Sequence, residues 1–229
     1  MTGRTFAVGD IHGCRVALNA LCDSLSLTSD DTFISLGDVV DRGEDTRGAM
    51  DSLLELQKTC RFIFIMGNHE EAMLDAFRSK EDFHRWLSIG GREAMDSYDR
   101  KMNNIPDSHR ELLENSVDYH ESETEIFIHA NLEPGVILPE QTSRWLRWEH
   151  LTGMEYAHES GRRVICGHTQ QKSGLPLIWN GWVCLDTGAY RLNPLTCLEV
   201  GSNLVYRADE TGKVFEPILL DDVAVTRDR

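Results

Sequence analysis

The chain has no run of about 18 or more apolar residues, so no membrane span is expected. It has no Cys-x-x-Cys pair. Its six cysteines, Cys14, Cys22, Cys60, Cys166, Cys184 and Cys197, are scattered, most of them in apolar runs such as Val164-Ile165-Cys166. Reduced, buried thiols acting as small hydrophobes are expected, not a disulfide framework. Positive charge is scarce: 23 Lys and Arg stand against 38 Asp and Glu, a formal net charge of −15. That balance disfavours non-specific binding to nucleic acid or to anionic membranes. It does not exclude an anionic substrate, because bound divalent cations reverse the local field. The opening segment Met1-Thr2-Gly3-Arg4-Thr5 carries no apolar signal-peptide stretch, which points to the cytoplasm. Internal repeats and low-complexity tracts are also missing.

What is present suits one globular domain over residues 1–229, with 41% hydrophobic residues to fill a core. Apolar strand-like runs at 4–8, 32–36 and 61–66 alternate with helical spacing at 16–25, 46–57 and 70–77. This β-α-β-α-β-α order predicts a parallel sheet with right-handed crossovers. In such sheets, sites form beyond the carboxyl ends of the strands. Residues 78–115 break the alternation and read as a small helical insert over or beside that end, with helices near 81–88, 91–100 and 107–115. From about Val117 the pattern turns strand-rich, at 117–121, 124–129, 163–166, 182–186, 195–200 and 203–207, with helix and loop over 138–158. A second, mixed sheet packed on the first is expected.

Three motifs follow the first three strand-like runs: Gly9-Asp10-Ile11-His12-Gly13, Gly37-Asp38-Val39-Val40-Asp41-Arg42-Gly43 and Gly67-Asn68-His69-Glu70. His129 and His168 stand in the same context further on. Asp10 and His12, two apart at a turn, can reach one ion. Asp38 can bridge two ions through its two carboxylate oxygens, and Asn68 offers a neutral carbonyl oxygen. The set is rich in O and N donors and lacks thiolate, which suits Mn²⁺, Fe or Zn²⁺. Two ions roughly 3.5–4 Å apart can polarise a phosphoryl group. Each motif alone is more simply a turn or a helix start. Their recurrence at successive β-α junctions is what argues for a site.

Taken together the motifs resemble the signature of calcineurin-like metallophosphoesterases. The Asp41-Arg42-Gly43 ending and Glu70 resemble the phosphoprotein phosphatase branch, and Gly167-His168-Thr169 its bacterial and phage serine/threonine phosphatases. The resemblance runs from about residue 5 to 200. It implies a four-layer α-β-β-α sandwich with mixed sheets, and two divalent cations, Mn²⁺ first with Fe or Zn²⁺ as alternatives. Asp10, His12 and Asp38 would hold the first ion; Asp38, Asn68, His129 and His168 would hold the second. It further implies in-line attack by metal-bound hydroxide with no phosphoenzyme intermediate. His69 would be the general acid, Asp41 its orienting partner and Arg42 a phosphate ligand. Histidine is a good proton donor near neutral pH, and the arginine fork suits phosphate oxygens. A second phosphate-binding arginine is expected at Arg147, with Arg144 as the fallback.

The chain departs from the common family pattern at Met66, where Arg is frequent, and at Asn131 after His129-Ala130. Neither change removes an expected ligand, but both leave the substrate open. A phosphorylated protein or small phosphoester is the expected substrate, with no nucleic-acid or membrane partner. A symmetric diadenosine tetraphosphatase is the alternative enzyme, and a metal-binding scaffold without turnover is the non-enzymatic one. Tyr190 in Asp186-Thr187-Gly188-Ala189-Tyr190 sits in a loop resembling the family's rim loop, where substrate contact and simple packing are both open. His84, His109, His120, His150 and His158 are expected at the surface. Trp145, Trp148, Trp179 and Trp182 are expected to pack, and Glu70 to sit at a helix N-terminus.

Overall fold

The computed structural model describes residues 3–226. The first half runs β1 (Thr5–Val8), α1 (Arg15–Leu25), β2 (Thr32–Ser35), α2 (Thr46–Leu56), β3 (Arg61–Phe64) and α3 (Asn68–Asp75). The insert follows as α4 (Lys80–Trp86), a π-helical turn over Leu87–Gly91, α5 (Arg92–Ser97) and α6 (Asp107–Glu114). The second half contains β4 (Tyr119–Glu121), β5 (Glu125–Ile128), α7 (Ser143–Trp148), β6 (Arg163–Cys166), β7 (Leu177–Trp179) and β8 (Trp182–Cys184). It closes with β9 (Leu195–Glu199), β10 (Leu204–Ala208), β11 (Val214–Leu219), α8 (Leu220–Val223) and β12 (Val225–Thr226).

Two six-stranded sheets form, in the orders β11-β10-β9-β1-β2-β3 and β12-β7-β8-β6-β5-β4. Strands β1, β2 and β3 are parallel and in register, with Phe6 opposite Phe33 and Phe33 opposite Phe62. Strand β9 pairs antiparallel with β1, which makes the first sheet mixed. In the second sheet β5, β6 and β8 are parallel, while β4 runs against β5 and β7 against β8. Period-two alternation sorts the side chains into layers. Ala7, Ile34, Phe127, Ile165 and Val183 meet between the sheets. Phe6, Val8 and Phe33 face the other way, onto Leu18 and Leu21 of α1 and Met50 and Leu53 of α2. Ile126, Ile128, Val164 and Cys166 face Leu146 of α7. The result is a mixed α/β sandwich of two sheets flanked by helices, as the sequence pattern predicts.

The differences from sequence expectation have local causes. β7, β11 and β12 have no counterpart in the sequence pattern: β7 and β12 are three and two residues long, and β11 carries Pro217 and an exposed pattern. Such strands lack the buried alternation that marks a strand in sequence. α3 starts at Asn68, two residues early, because Glu70 closes a capping box onto the Gly67 backbone N–H. His109 is fully buried instead of surface-exposed. It shares the inner face of α6 with Leu112 and Leu113, donates from Nε2 to Asp51 of α2 at 2.9 Å and accepts from the Tyr98 hydroxyl at 2.8 Å. That relay fastens the insert to α2. His120 is half-buried and stacks on Phe127, whereas His84 is exposed.

Asp31 ties the start of β1 to the turn before β2. Its carboxylate accepts from Arg4 N at 2.9 Å, Arg4 Nη2 at 2.7 Å and Thr28 N at 2.9 Å. The Arg4 hydrogen bond leads the groups that hold its pKa below the usual carboxylate range. With the folded pKa depressed, the stabilisation is complete above the unfolded value of about 3.9 and is lost as pH falls through the folded value. Asp31→Asn is therefore expected to cost about 1–3 kcal/mol in urea unfolding at pH 7, the scale of a charged hydrogen-bond cluster. The deficit should shrink toward pH 3; a pH-independent deficit would contradict the charge argument.

Candidate active site

The motifs converge beyond the carboxyl ends of β1, β2, β3, β5 and β6. Parallel strands end on one side, so Asp10 and His12 after β1, Asp38 to Arg42 after β2, Asn68 and His69 after β3, His129 after β5 and His168 after β6 are brought together. The turns are tight. His12, Asp38, Asp41, Arg42 and His168 all adopt positive φ, at 46°, 50°, 73°, 63° and 60°. Left-handed backbone is costly for residues with a Cβ, and a concentration of it marks a site whose geometry is held by its surroundings. Gly67 permits this crowding: a Cβ there would lie 2.3 Å from Asp38 Oδ1.

Asp38 stands at the centre, with its two oxygens divided between two groups of side chains. Oδ2 lies 3.6 Å from His12 Nε2 and 3.9 Å from His69 Nε2; Oδ1 lies 3.4 Å from His129 Nε2. His12, Asp38 and His69 form one cluster able to hold a metal ion, and Asp38, His129 and His168 form a second. Asp10 Oδ2 lies 4.0 Å from His12 Nε2, and both Asp10 oxygens accept from the His168 backbone N–H. Asn68 Oδ1 lies 3.1 Å from His129 Nε2 and 3.0 Å from His168 Nδ1.

The hydrogen bonds around these residues suit them to a cation. His129 Nδ1 donates to the Leu36 carbonyl at 2.7 Å, so its Nε2 presents a bare lone pair. His168 Nε2 donates to the Trp148 carbonyl at 3.2 Å, so its Nδ1 is also bare. Those two nitrogens face each other at 3.2 Å with Asn68 Oδ1 beside them. His12 Nδ1 likewise donates to Val40 O at 2.8 Å, turning Nε2 toward Asp10 and Asp38. Backbone carbonyls fixing one imidazole nitrogen while the other faces a carboxylate is the outer support expected of metal-binding histidines. Acceptors pressed together in this way are relieved by a cation.

The electrostatics agree. Burial holds His12 well below its ordinary range and lowers His129; burial and the His129 neighbour bring His168 down to about 3. Neutral imidazoles are the ligating form. Burial, then the charges of Asp186 and Asp38, push Asp10 well up, and burial lifts Asp186 to about 6. At Asp38 burial opposes ionisation, but the surrounding imidazoles, His129 first, bring the carboxyl below its usual range. At His69 burial favours the neutral ring, but Asp38 and the Asp41 hydrogen bond outweigh it and raise the pKa.

Around this centre lie groups of a second kind. His69 Nδ1 donates to Asp41 Oδ2 at 2.7 Å, and among the described residues its buried Nε2 has no hydrogen-bond partner. Arg42 Nη1 lies 3.0 Å from His12 Nε2, and its guanidinium stacks over the Tyr190 ring at 5.1 Å. Tyr190 also meets the His12 ring edge-on at 5.1 Å. Arg147 is engaged elsewhere: its guanidinium pairs with Glu71 and Asp118. Arg144 is exposed and faces Glu149.

Several residues make contacts at the site that the sequence does not disclose. Glu70 is more than a helix-terminal charge: its oxygens accept from the backbone N–H groups of Gly67, Asp38, Val39 and Val40 and so brace the Asp38 turn. Burial and the Asp38 charge raise its pKa to about 7. Exposed His150 is not a plain surface residue, because it stacks on His168 with ring centroids 4.4 Å apart. Trp86 of α4 donates its indole N–H to both Asp41 oxygens, at 2.9 and 3.0 Å. Asp186 is legible in sequence only as a rim-loop residue, yet it lies buried beside Asp10. No periodicity marks these residues; only the register of distant segments brings them in.

Two packed sheets, with two clusters of carboxylate and imidazole groups at their strand ends able to hold metal ions, fit a metal-dependent phosphoesterase with a plausible dinuclear site. The model of the calcineurin-like phosphoesterase family matches residues 3–186, and the chain belongs to that family. The chain is 40% identical over 87 residues to serine/threonine-protein phosphatase 2 of Salmonella typhimurium, a stretch covering 38% of each protein. It is 35% identical over 74 residues to the symmetrical bis(5'-nucleosyl)-tetraphosphatase of Pectobacterium atrosepticum, covering 32% of this chain and 26% of that protein. The aligned stretches thus span well under half the length of these relatives. A solved structure whose name gives diadenosine tetraphosphatase as a provisional assignment superposes with a TM-score of 0.68 at 18% identity, covering 98% of this chain and 95% of the other. A cold-active protein tyrosine phosphatase superposes with a TM-score of 0.65 at 16% identity, covering 94% and 78%. At such identities the two structures share the fold. Among the described residues, no helix is long and apolar enough to cross a membrane.

Proposed function

We propose that the chain is a Mn²⁺-dependent phosphomonoesterase that hydrolyses phosphoserine and phosphothreonine esters in proteins. The observation that carries this reading is the divided Asp38 carboxylate beside a buried His69 whose Nε2 has no hydrogen-bond partner among the described residues. Asp10, His12 and Asp38 would hold one cation, and Asp38, Asn68, His129 and His168 the other. Two cations would supply Lewis-acid polarisation of the phosphoryl group and activation of water. The chain's own groups do the rest. Arg42 leaves His12 and binds phosphoryl oxygens through its planar fork. His69, protonated and held by Asp41, gives its Nε2 proton to the seryl or threonyl oxygen as the P–O bond breaks. Arg147 is a phosphate ligand only if substrate draws it from Glu71 and Asp118.

A cavity of about 510 Å³ supports a peptide substrate over a nucleoside polyphosphate. It meets the second ligand cluster through His150, and its walls include Trp145, Tyr156, Glu133 and Glu155 but, among the described residues, no Lys or Arg. Carboxylates and aromatic faces accept an apolar or basic neighbour of the phosphorylated residue and repel further phosphates. One observation favours diadenosine tetraphosphate: Arg191 stacks on the same Tyr190 ring as Arg42, at 5.3 Å, and offers a second anion contact.

The test is to strip metal with chelator, reload Mn²⁺, and compare phosphoserine, phosphothreonine and phosphotyrosine peptides with diadenosine tetraphosphate. Phosphoserine and phosphothreonine peptides with basic flanks are expected to give kcat/KM at least ~10-fold above acidic-flanked ones, the size of one favourable charge contact. Preference for diadenosine tetraphosphate would replace this reading with the nucleotide one. Metal binding without turnover of any substrate would leave a binding scaffold.

A further inference from the structure

We infer that Trp86 is a positioning residue for the His69–Asp41 pair, and that the helical insert is thereby part of the phosphoryl-transfer site. This rests on the general-acid reading of His69. Asp41 is fully buried, and its Oδ2 already accepts from His69 Nδ1. Among the described residues, the indole N–H of Trp86 is the one hydrogen-bond donor to Asp41 Oδ1, and it also reaches Oδ2. A carboxylate held by a single imidazole can rotate about its Cβ–Cγ bond and carry the ring with it. A forked N–H on the opposite side fixes its plane, and so fixes where His69 Nε2 points.

The insert is shaped to deliver this contact. Trp86 ends α4 and is fully buried. The π turn that follows contains Gly90 at φ 133°, where a Cβ would lie 2.8 Å from Arg42 Cγ. The Gly90 carbonyl accepts the Arg42 backbone N–H at 3.0 Å. Gly91 has no Cβ to strike the indole, which would sit 2.5 Å away. One turn of the insert therefore grips both Asp41, through a side chain, and Arg42, through the backbone.

The test compares Mn²⁺-loaded wild type, Trp86→Phe, His69→Asn and the double variant on a phosphoserine peptide and on p-nitrophenyl phosphate. A general acid matters most where the leaving oxygen is strongly basic. Trp86→Phe is expected to lower kcat on the peptide about 10–100-fold, part of the 10²–10⁴ that a general acid contributes, with KM steady. On p-nitrophenyl phosphate the fall should stay within about 3-fold, because that leaving group needs little protonation. In the His69→Asn background the Trp86 change should be silent within about 2-fold, since coupled groups act as one unit. Gly91→Ala, which displaces the indole without removing it, should show the same selectivity should Trp86→Phe fail to fold. Equal falls on both substrates, additive effects, or loss of bound manganese in both variants would overturn the assignment and leave Trp86 a packing residue. If His69→Asn itself showed no leaving-group selectivity, the general-acid reading would fall instead.

Discussion

Asp38→Asn is expected to lower turnover more than about 100-fold and to leave the chain with one manganese ion or none after dialysis. Loss of a group that merely supports a metal ligand costs about 10–100-fold, and a ligand shared by two ions should exceed that range. The reason is geometric. Asp38 turns one oxygen toward His12 and the other toward His129. An amide keeps one acceptor and replaces the other with two N–H donors, so one cluster faces a donor where it needs a lone pair. The fold should survive, because asparagine tolerates the φ of 50° at this position and can still accept from the His69 backbone N–H. The metal-free variant should melt somewhat below the metal-free parent, because the lost carboxylate is one that the surrounding imidazoles hold ionised. Metal counting by mass spectrometry reads the first claim without any activity assay. Two ions per chain together with full turnover would show that Asp38 does not bridge.

The contrast between Asp38 and Trp86 shows which parts of the molecule the sequence discloses. Asp10, Asp38 and Asn68 follow short apolar runs that alternate with helical segments, and parallel strands must end on the same side, so their convergence follows from the strand pattern. His129 and His168 are readable for the same reason, as strand-end residues of a second sheet. Trp86, His150 and Glu70 act through surfaces created only when segments far apart in the chain meet. Trp86 sits 45 residues from Asp41 in a segment with no period to anchor it. His150 lies in a loop whose polarity argues for exposure. The residue is exposed, yet one face of its ring rests on His168. Polarity predicts the solvent contact correctly and says nothing of the stacking partner. His109 departs in the opposite sense: a histidine among charged residues is buried because Tyr98 and Asp51 satisfy both of its nitrogens. Arg147 is the instructive middle case. The family resemblance places an arginine near the site, but whether its guanidinium is free depends on Glu71 and Asp118, which come from two other segments.

His69→Asn carries the second large effect, and its pattern matters more than its size. The wild-type ring is held on one side by Asp41 at 2.7 Å, and the opposite nitrogen is buried, 3.9 Å from Asp38 and without a hydrogen-bond partner among the described residues. Asp38 and the Asp41 hydrogen bond raise its pKa against the effect of burial. A buried N–H without a partner is unfavourable in the resting protein, and it is worth retaining where a developing alkoxide will appear. Replacement by asparagine removes the proton and one member of the His12–Asp38–His69 cluster, but keeps the proposed ligands Asp10, His12, Asp38, Asn68, His129 and His168. Turnover of a phosphoserine peptide should fall about 10²–10⁴-fold, the contribution of a well-placed general acid. Turnover of p-nitrophenyl phosphate should fall far less, and diadenosine tetraphosphate should lie between, because a nucleotide leaves more readily than an alkoxide. Manganese stoichiometry should stay at the parent value. An equal fall across all three substrates would mean that His69 acts on the metal site or on attack, and Asp41 and Trp86 would then support a different step.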